Sequence, residues 1–185
     1  MIRKILTSVV FACFVGCCFY TVTAVHAWFG QVWDPAQYQG LDATAYLETT
    51  FPEDAAAIRW LNEHVTGDPV VLEANGDSYS DYERVSAMTG LPTVLGWYVH
   101  EWLWRGDTGA LNERAQEIEA VYTSTNQEEV KKLLEKYQVR YIFVGARERE
   151  KYAALNESML QSLGNIVFSD EQSQTYVLQV AFSGQ

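Results

Sequence analysis

Residues 89–106 (TGLPTVLGWYVHEWLWRG) hold three of the six tryptophans, a histidine beside a glutamate, and an arginine. Trp97, Trp102 and Trp104 offer flat apolar faces, while His100, Glu101 and Arg105 offer hydrogen bonds and charge. If 97–105 is helical, Trp97, Glu101, Trp104 and Arg105 share one face, and His100 lies one turn from Trp104. Such a face suits a sugar or sugar-phosphate site. Indoles would stack on a pyranose ring, His100 and Glu101 would bond its hydroxyls, and Arg105 would grip phosphate with its planar fork. The same residues also suit an amphipathic segment at a membrane surface, with tryptophans at head-group depth, or a helix packed on partner spans.

A second group follows the apolar run 70–73: Glu73, Asp77, Tyr79 and Tyr82 surround the polar loop 74–81. Ligands of open α/β sheets gather at the carboxyl ends of strands, and a solvated loop is the plain alternative. Glu148, Arg149 and Tyr152 stand in the same relation to the apolar run 141–145, where acid placement at a helix start also explains them. His64 sits at a helix end, where the dipole explains it. A metal site at His100 would have to recruit Glu101, Glu73 and Asp77, yet neighbours on a helix diverge by about 100°. We expect no metal and no cofactor. The chain has no phosphate loop of the Gly-x-x-x-x-Gly-Lys-Ser/Thr kind, no Gly-x-Ser-x-Gly turn and no Gly-x-Gly-x-x-Gly.

The elements that position these residues follow from periodicity. Pro52, Glu53 and Asp54 open a helix whose apolar face is Ala57, Ile58, Trp60, Leu61 and Val65. Strands are expected at 70–73, 92–96 and 141–145, and short helices at 82–89 and 97–105. Longer helices are expected at 111–123, 127–137 and 147–163, the last broken near Asn156. Residues 165–169 and 175–182 read as an antiparallel hairpin at the sheet edge. The alternation predicts an α/β fold: a three-layer domain with a mixed, mainly parallel sheet of about five strands, the early ones parallel.

Residues 6–27 carry no charge and are close to the ~20 residues needed to cross a bilayer. Arg3 and Lys4 precede them, and Trp28, Trp33 and Tyr38 follow. That order predicts one transmembrane helix with a cytoplasmic N-terminus and an extracytoplasmic C-terminal domain, a single-pass protein of the cell membrane. Val25-His26-Ala27 leaves a cleaved signal open, and Phe14-Val15-Gly16-Cys17 faintly resembles a lipoprotein box. The divisions expected are a membrane anchor over 1–33, a connector over 34–50 and an external α/β domain over 51–185. Arg3 and Lys4 are the sole charges before Asp34, which leaves 11 Lys and Arg against 24 Asp and Glu, a net of −13. So acidic a domain disfavours nucleic acid and anionic lipid head groups as partners. All three cysteines lie inside the apolar segment, so the domain has no disulfide framework.

Several phrases together resemble the C-terminal region of the YYY-type uncharacterised polytopic membrane proteins. That family is similar to the GT-C superfamily of glycosyltransferases, which use lipid-phosphate-linked sugars. The phrases are Leu41-Asp42 with Ala45-Tyr46-Leu47, then 54–61 (DAAAIRWL), 70–73, and 82–86 (YERVS) leading into 89–106. The last are 137–145 and the positions Glu148, Arg149 and Tyr152. Residues 89–106 are the most specific part. Members of the family carry many spans before this region, and GT-C enzymes place a catalytic acid in an early external loop. Neither feature is expected here. The resemblance therefore implies a glycosyltransferase component that lacks the catalytic loop and helps to bind a lipid-linked sugar or acceptor, beside a polytopic membrane subunit. The alternative is a non-catalytic interaction domain docking on such a partner.

Overall fold

The computed structural model describes residues 2–29 and 46–181. Contacts divide the chain into Met1–Ala45 and Tyr46–Gln185. In the first unit, α1 (Ile2–Phe29) is one unbroken helix, about 42 Å long at ~1.5 Å per residue. The hydroxyls of Thr21 and Thr23 donate to the carbonyls of Cys17 (3.1 Å) and Tyr20 (2.9 Å), which satisfies them within an apolar helix. The helix is long and apolar enough to cross a membrane, and it fits a single-pass anchor or a signal sequence. Trp33, Tyr38, connector residues 34–45 and the resembling Leu41, Asp42 and Ala45 lie outside the described residues.

The second unit begins with α2 (Leu47–Thr50) and α3 (Pro52–His64). Residues 47–50, expected in the connector, form a helical turn because Leu47 finds an apolar pocket and is buried. There follow β1 (Val70–Leu72), α4 (Arg84–Thr89), α5 (Tyr98–Arg105), α6 (Gly109–Thr123) and α7 (Gln127–Lys136). The chain continues through β2 (Val139–Val144), α8 (Ala146–Lys151), α9 (Glu157–Gln161), β3 (Gly164–Asp170) and β4 (Thr175–Val180). The expected helix break at 156 is present: the Asn156 side chain accepts from Met159 N and caps α9.

The sheet is mixed, in the order β1-β2-β4-β3, with β1 and β2 parallel and the other two ladders antiparallel. The expected hairpin is β3 and β4. Residues 92–96 contribute a single parallel bridge, Thr93 to Val71, where a strand was expected. Pro92 has no N–H to give to a ladder, so its carbonyl accepts from Val71 N (2.9 Å) and pairing stops after one bridge.

Alternation along the strands produces two cores. Ile142, Val144, Tyr176 and Leu178 face α6, α7 and α9, meeting Ile118, Tyr122, Leu134 and Leu160. Val71, Phe143 and Val177 face the other way, against Ala55, Ile58 and Leu61 of α3. The domain thus has the three layers expected. The buried Tyr122 hydroxyl lies 2.9 Å from the carbonyl of Phe143 and 3.2 Å from that of Leu72, which fastens α6 across both parallel strands.

Candidate functional site

Beyond β1 the chain stays inside the domain for three more residues: Glu73, Ala74 and Asn75 are all buried. The first turn of any helix leaves N–H groups without partners. Glu73 supplies them for α4, accepting from Val85 N (2.8 Å) and Ser86 N (2.7 Å). Burial raises its carboxyl, and although the Arg84 charge and these N–H donors oppose that, the net is a rise to about 6. Glu73 therefore seats α4 from behind.

Arg84 is the hub of a buried charge cluster. Its Nε donates to Asp54 of α3, and Nη1 and Nη2 donate to Glu148 of α8 at 3.2 and 3.0 Å. Glu148 also accepts from Ala74 N (3.0 Å) and Gly145 N (2.9 Å). Burial alone would raise Glu148, but the Arg84 charge and these donors outweigh it and hold its carboxyl below the usual range. The guanidinium lies over the Phe143 ring, 5.2 Å from its centroid. Gly145 is required here, because a Cβ would stand 2.6 Å from Asp54 Oδ1.

In front of this frame, α4, the 91–96 segment and α5 enclose an open groove of about 730 Å³. Trp97, His100, Glu101, Trp104 and Arg105 all line it, so five residues singled out in the sequence meet on one wall. Trp97 Nε1 donates to the Tyr82 carbonyl (3.0 Å), which fixes the indole. His100 Nδ1 lies 2.6 Å from Ser78 Oγ. The rings of Tyr79, Trp97 and His100 stand 5.2–5.7 Å apart by centroid. Tyr79 is held at φ 60° and is 85% exposed. Glu101 and Arg105 form the expected i,i+4 ion pair, contributing about 0.2–0.5 kcal/mol on an open helix. Along the outer edge of α5, Leu103 and Trp104 are 68% and 87% exposed.

The remaining candidates lie elsewhere. Tyr82 packs its ring on Gly76, where a Cβ would come within 2.3 Å of Cδ2, and Lys151 Nζ lies 5.2 Å from the ring centroid. Asp77 and Glu73 are not on the groove wall. Arg149 pairs with Glu157 (2.7 Å), and Tyr152 stacks on Tyr122 in the core. His64 Nδ1 meets the Trp60 carbonyl (2.9 Å) and its ring stacks on the Trp60 indole at α3's end. Among the described residues, no group of three or more His, Cys, Asp and Glu could hold a metal ion.

Sequence reasoning missed Glu83 and Thr93. Both line the groove, and Glu83 Oε2 and Thr93 Oγ1 are buried without a hydrogen-bond partner. It also missed the Arg84 cluster. One signal was available: Glu73 directly follows one apolar strand and Glu148 closely follows another, at the carboxyl ends of the strands where helix N-termini gather.

No family model matches the sequence, and no curated protein matches it. Among solved structures the chain is similar to the C-terminal globular domain of an oligosaccharyltransferase (AfAglB-S2) from Archaeoglobus fulgidus. The TM-score is 0.44 and the identity 12%, over 70% of this chain and 97% of that one. A likeness of that size says nothing about activity.

Proposed function

We propose that this chain is a membrane-tethered, extracytoplasmic domain of a GT-C-like glycosyltransferase system, and that its groove binds the saccharide part of a lipid-linked sugar or its acceptor. One observation carries the reading. Trp97, His100, Glu101, Trp104 and Arg105 converge on a single concave wall, and the Trp97 indole is fixed by its bond to the Tyr82 carbonyl. Sugar recognition asks for a rigid aromatic face with hydroxyl partners beside it, and Glu101 and His100 are placed to serve. Arg105 stands on the same wall for phosphate. The role is binding rather than chemistry, with a polytopic subunit supplying the reacting groups. The resemblance of 89–106 to the YYY-type polytopic membrane proteins, a family similar to the GT-C superfamily, supports the same system.

Docking of the domain on a polytopic partner is the second reading, and exposed Leu103 and Trp104 favour it. A pure docking surface has no need of a groove, which is why saccharide binding ranks first. Reconstitution of the full chain in phosphatidylcholine nanodiscs separates the two. Binding of a polyprenyl-phosphate hexose should fall at least about tenfold in Trp97→Ala and in His100→Ala, the scale of ~1.4 kcal/mol. Unchanged binding in both variants would sink the saccharide reading.

A further inference from the structure

We infer that the outer edge of α5, made of Trp102, Leu103 and Trp104, sits at head-group depth in a zwitterionic lipid surface. Such contact requires α1 as the membrane anchor proposed above, and it is independent of what the groove binds.

α5 contributes no buried residue to the domain. His100, Glu101, Trp104 and Arg105 line the groove, whereas Trp102 and Leu103 do not. Trp102, Leu103 and Trp104 are 44%, 68% and 87% exposed. Single exposed apolar side chains are ordinary, but three in a row on an eight-residue helix, two of them indoles, call for a partner. Consecutive helical residues diverge by about 100°, so the three span the outward arc with Leu103 at its centre and an indole on either side. Laid on a bilayer, that arc puts Leu103 deepest. The indoles flank it at the level where an apolar ring and an N–H donor are both accommodated.

Charge selects the kind of lipid. Beyond α1 the chain carries a net charge of −13, yet the only Lys, Arg, Asp or Glu within 85–106 are Glu101 and Arg105. Those two pair with each other. The next charge, Asp107, turns its carboxylate to Gly109 N (2.8 Å). The edge is therefore a neutral aromatic patch on an acidic domain, which matches zwitterionic head groups and not anionic ones. Area favours lipid over protein as the occupant. Two indoles and a leucine expose on the order of a few hundred Å², below the about 800 Å² per partner of a stable protein interface. A lipid contact can be that small, because a domain covalently joined to a membrane anchor makes its second contact intramolecularly.

The test reconstitutes the full chain in phosphatidylcholine vesicles doped with a phosphatidylcholine that carries a diazirine at the glycerol end of one acyl chain. Adducts are mapped by mass spectrometry, and thermal melts verify folding of each variant. We expect adducts on α1 and on 98–105. Leu103→Glu, which charges the centre of the arc, should cut the 98–105 adducts at least about fivefold and leave those on α1 unchanged. Trp102→Ser, off the groove wall, should also cut them. Adducts on α1 alone, or 98–105 adducts unchanged in either variant, would overturn the inference with the anchor intact and leave the edge to a protein partner. A rise in 98–105 adducts when phosphatidylserine replaces part of the phosphatidylcholine would also overturn it, because the contact would then be with anionic head groups. If α1 takes no adduct, the anchor falls and the lipid contact with it.

Discussion

Arg84 holds two carboxylates in the interior of the domain, and removing it would leave both uncompensated. Breaking a buried pair by deleting one partner costs about 3–5 kcal/mol. Arg84→Met should therefore lower the free energy of unfolding by that amount in a denaturant titration, and a loss under ~1 kcal/mol would contradict the role given to the cluster. The acids of this region act on stability in opposite directions with pH. Glu148 has a lowered carboxyl, so its contribution is present above the unfolded value of 4.5 and is lost as pH falls through the folded value. Glu83 is raised from 4.5 to about 8. Between those values the unfolded chain has released a proton that the folded chain still holds, so stability falls as pH rises across the window. Glu83→Gln should melt with the wild type near the lower value and several degrees above it beyond the upper one. Parallel melting curves at all pH values would show that Glu83 is not held neutral.

At the scale of elements, the groove depends on how the 73–83 loop, α4 and the start of α5 are tied together. Gly76 is the knot: its N–H serves Glu83, its carbonyl accepts from Tyr98 N (3.1 Å), and its missing Cβ makes room for Tyr82. Gly76→Ala must displace the Tyr82 ring, and with it the carbonyl that holds Trp97. We expect a loss of about 1–3 kcal/mol in stability, in the range of overpacking, together with weaker saccharide binding. Wild-type stability and binding in this variant would show that the loop yields without consequence. Much of this scaffold is legible in sequence, because β2 and α5 reach their neighbours through local pattern: an apolar run in one, i,i+4 spacing in the other. The break near Asn156 is legible too, although its role as the cap of α9 shows only in the fold. The segment 92–96 misleads because its apolar composition says strand while Pro92 cannot pair on both edges. Arg84 and Glu148 stand 64 positions apart, and nothing in a charged residue's own neighbourhood says whether its partner is water or another side chain. Glu83 is hidden for that reason too, in a phrase that reads as an ordinary helix start. Hence the groove's aromatic residues can be anticipated from sequence, but not the two unpartnered oxygens buried behind it on Glu83 and Thr93.

For the whole molecule, an apolar helix, α1, precedes an acidic domain. In the proposed topology, Arg3 and Lys4 stay in the cytoplasm and 46–181 lies outside, so protease added to intact cells should remove the domain and spare α1. A domain protected until the cells are opened would reverse the topology. The net charge of −13 beyond α1 also argues that binding at the bilayer is not driven by anionic head groups. Under this account, α1 keeps the domain local to lipid-linked substrates and the groove selects among them. The most direct test is to photo-crosslink a diazirine-bearing polyprenyl-phosphate hexose to the full chain in nanodiscs and map the adducts by mass spectrometry. The account predicts adducts concentrated on 83–105, competed away by the unlabelled ligand. Adducts confined to α1, or spread over the domain without competition, would contradict it.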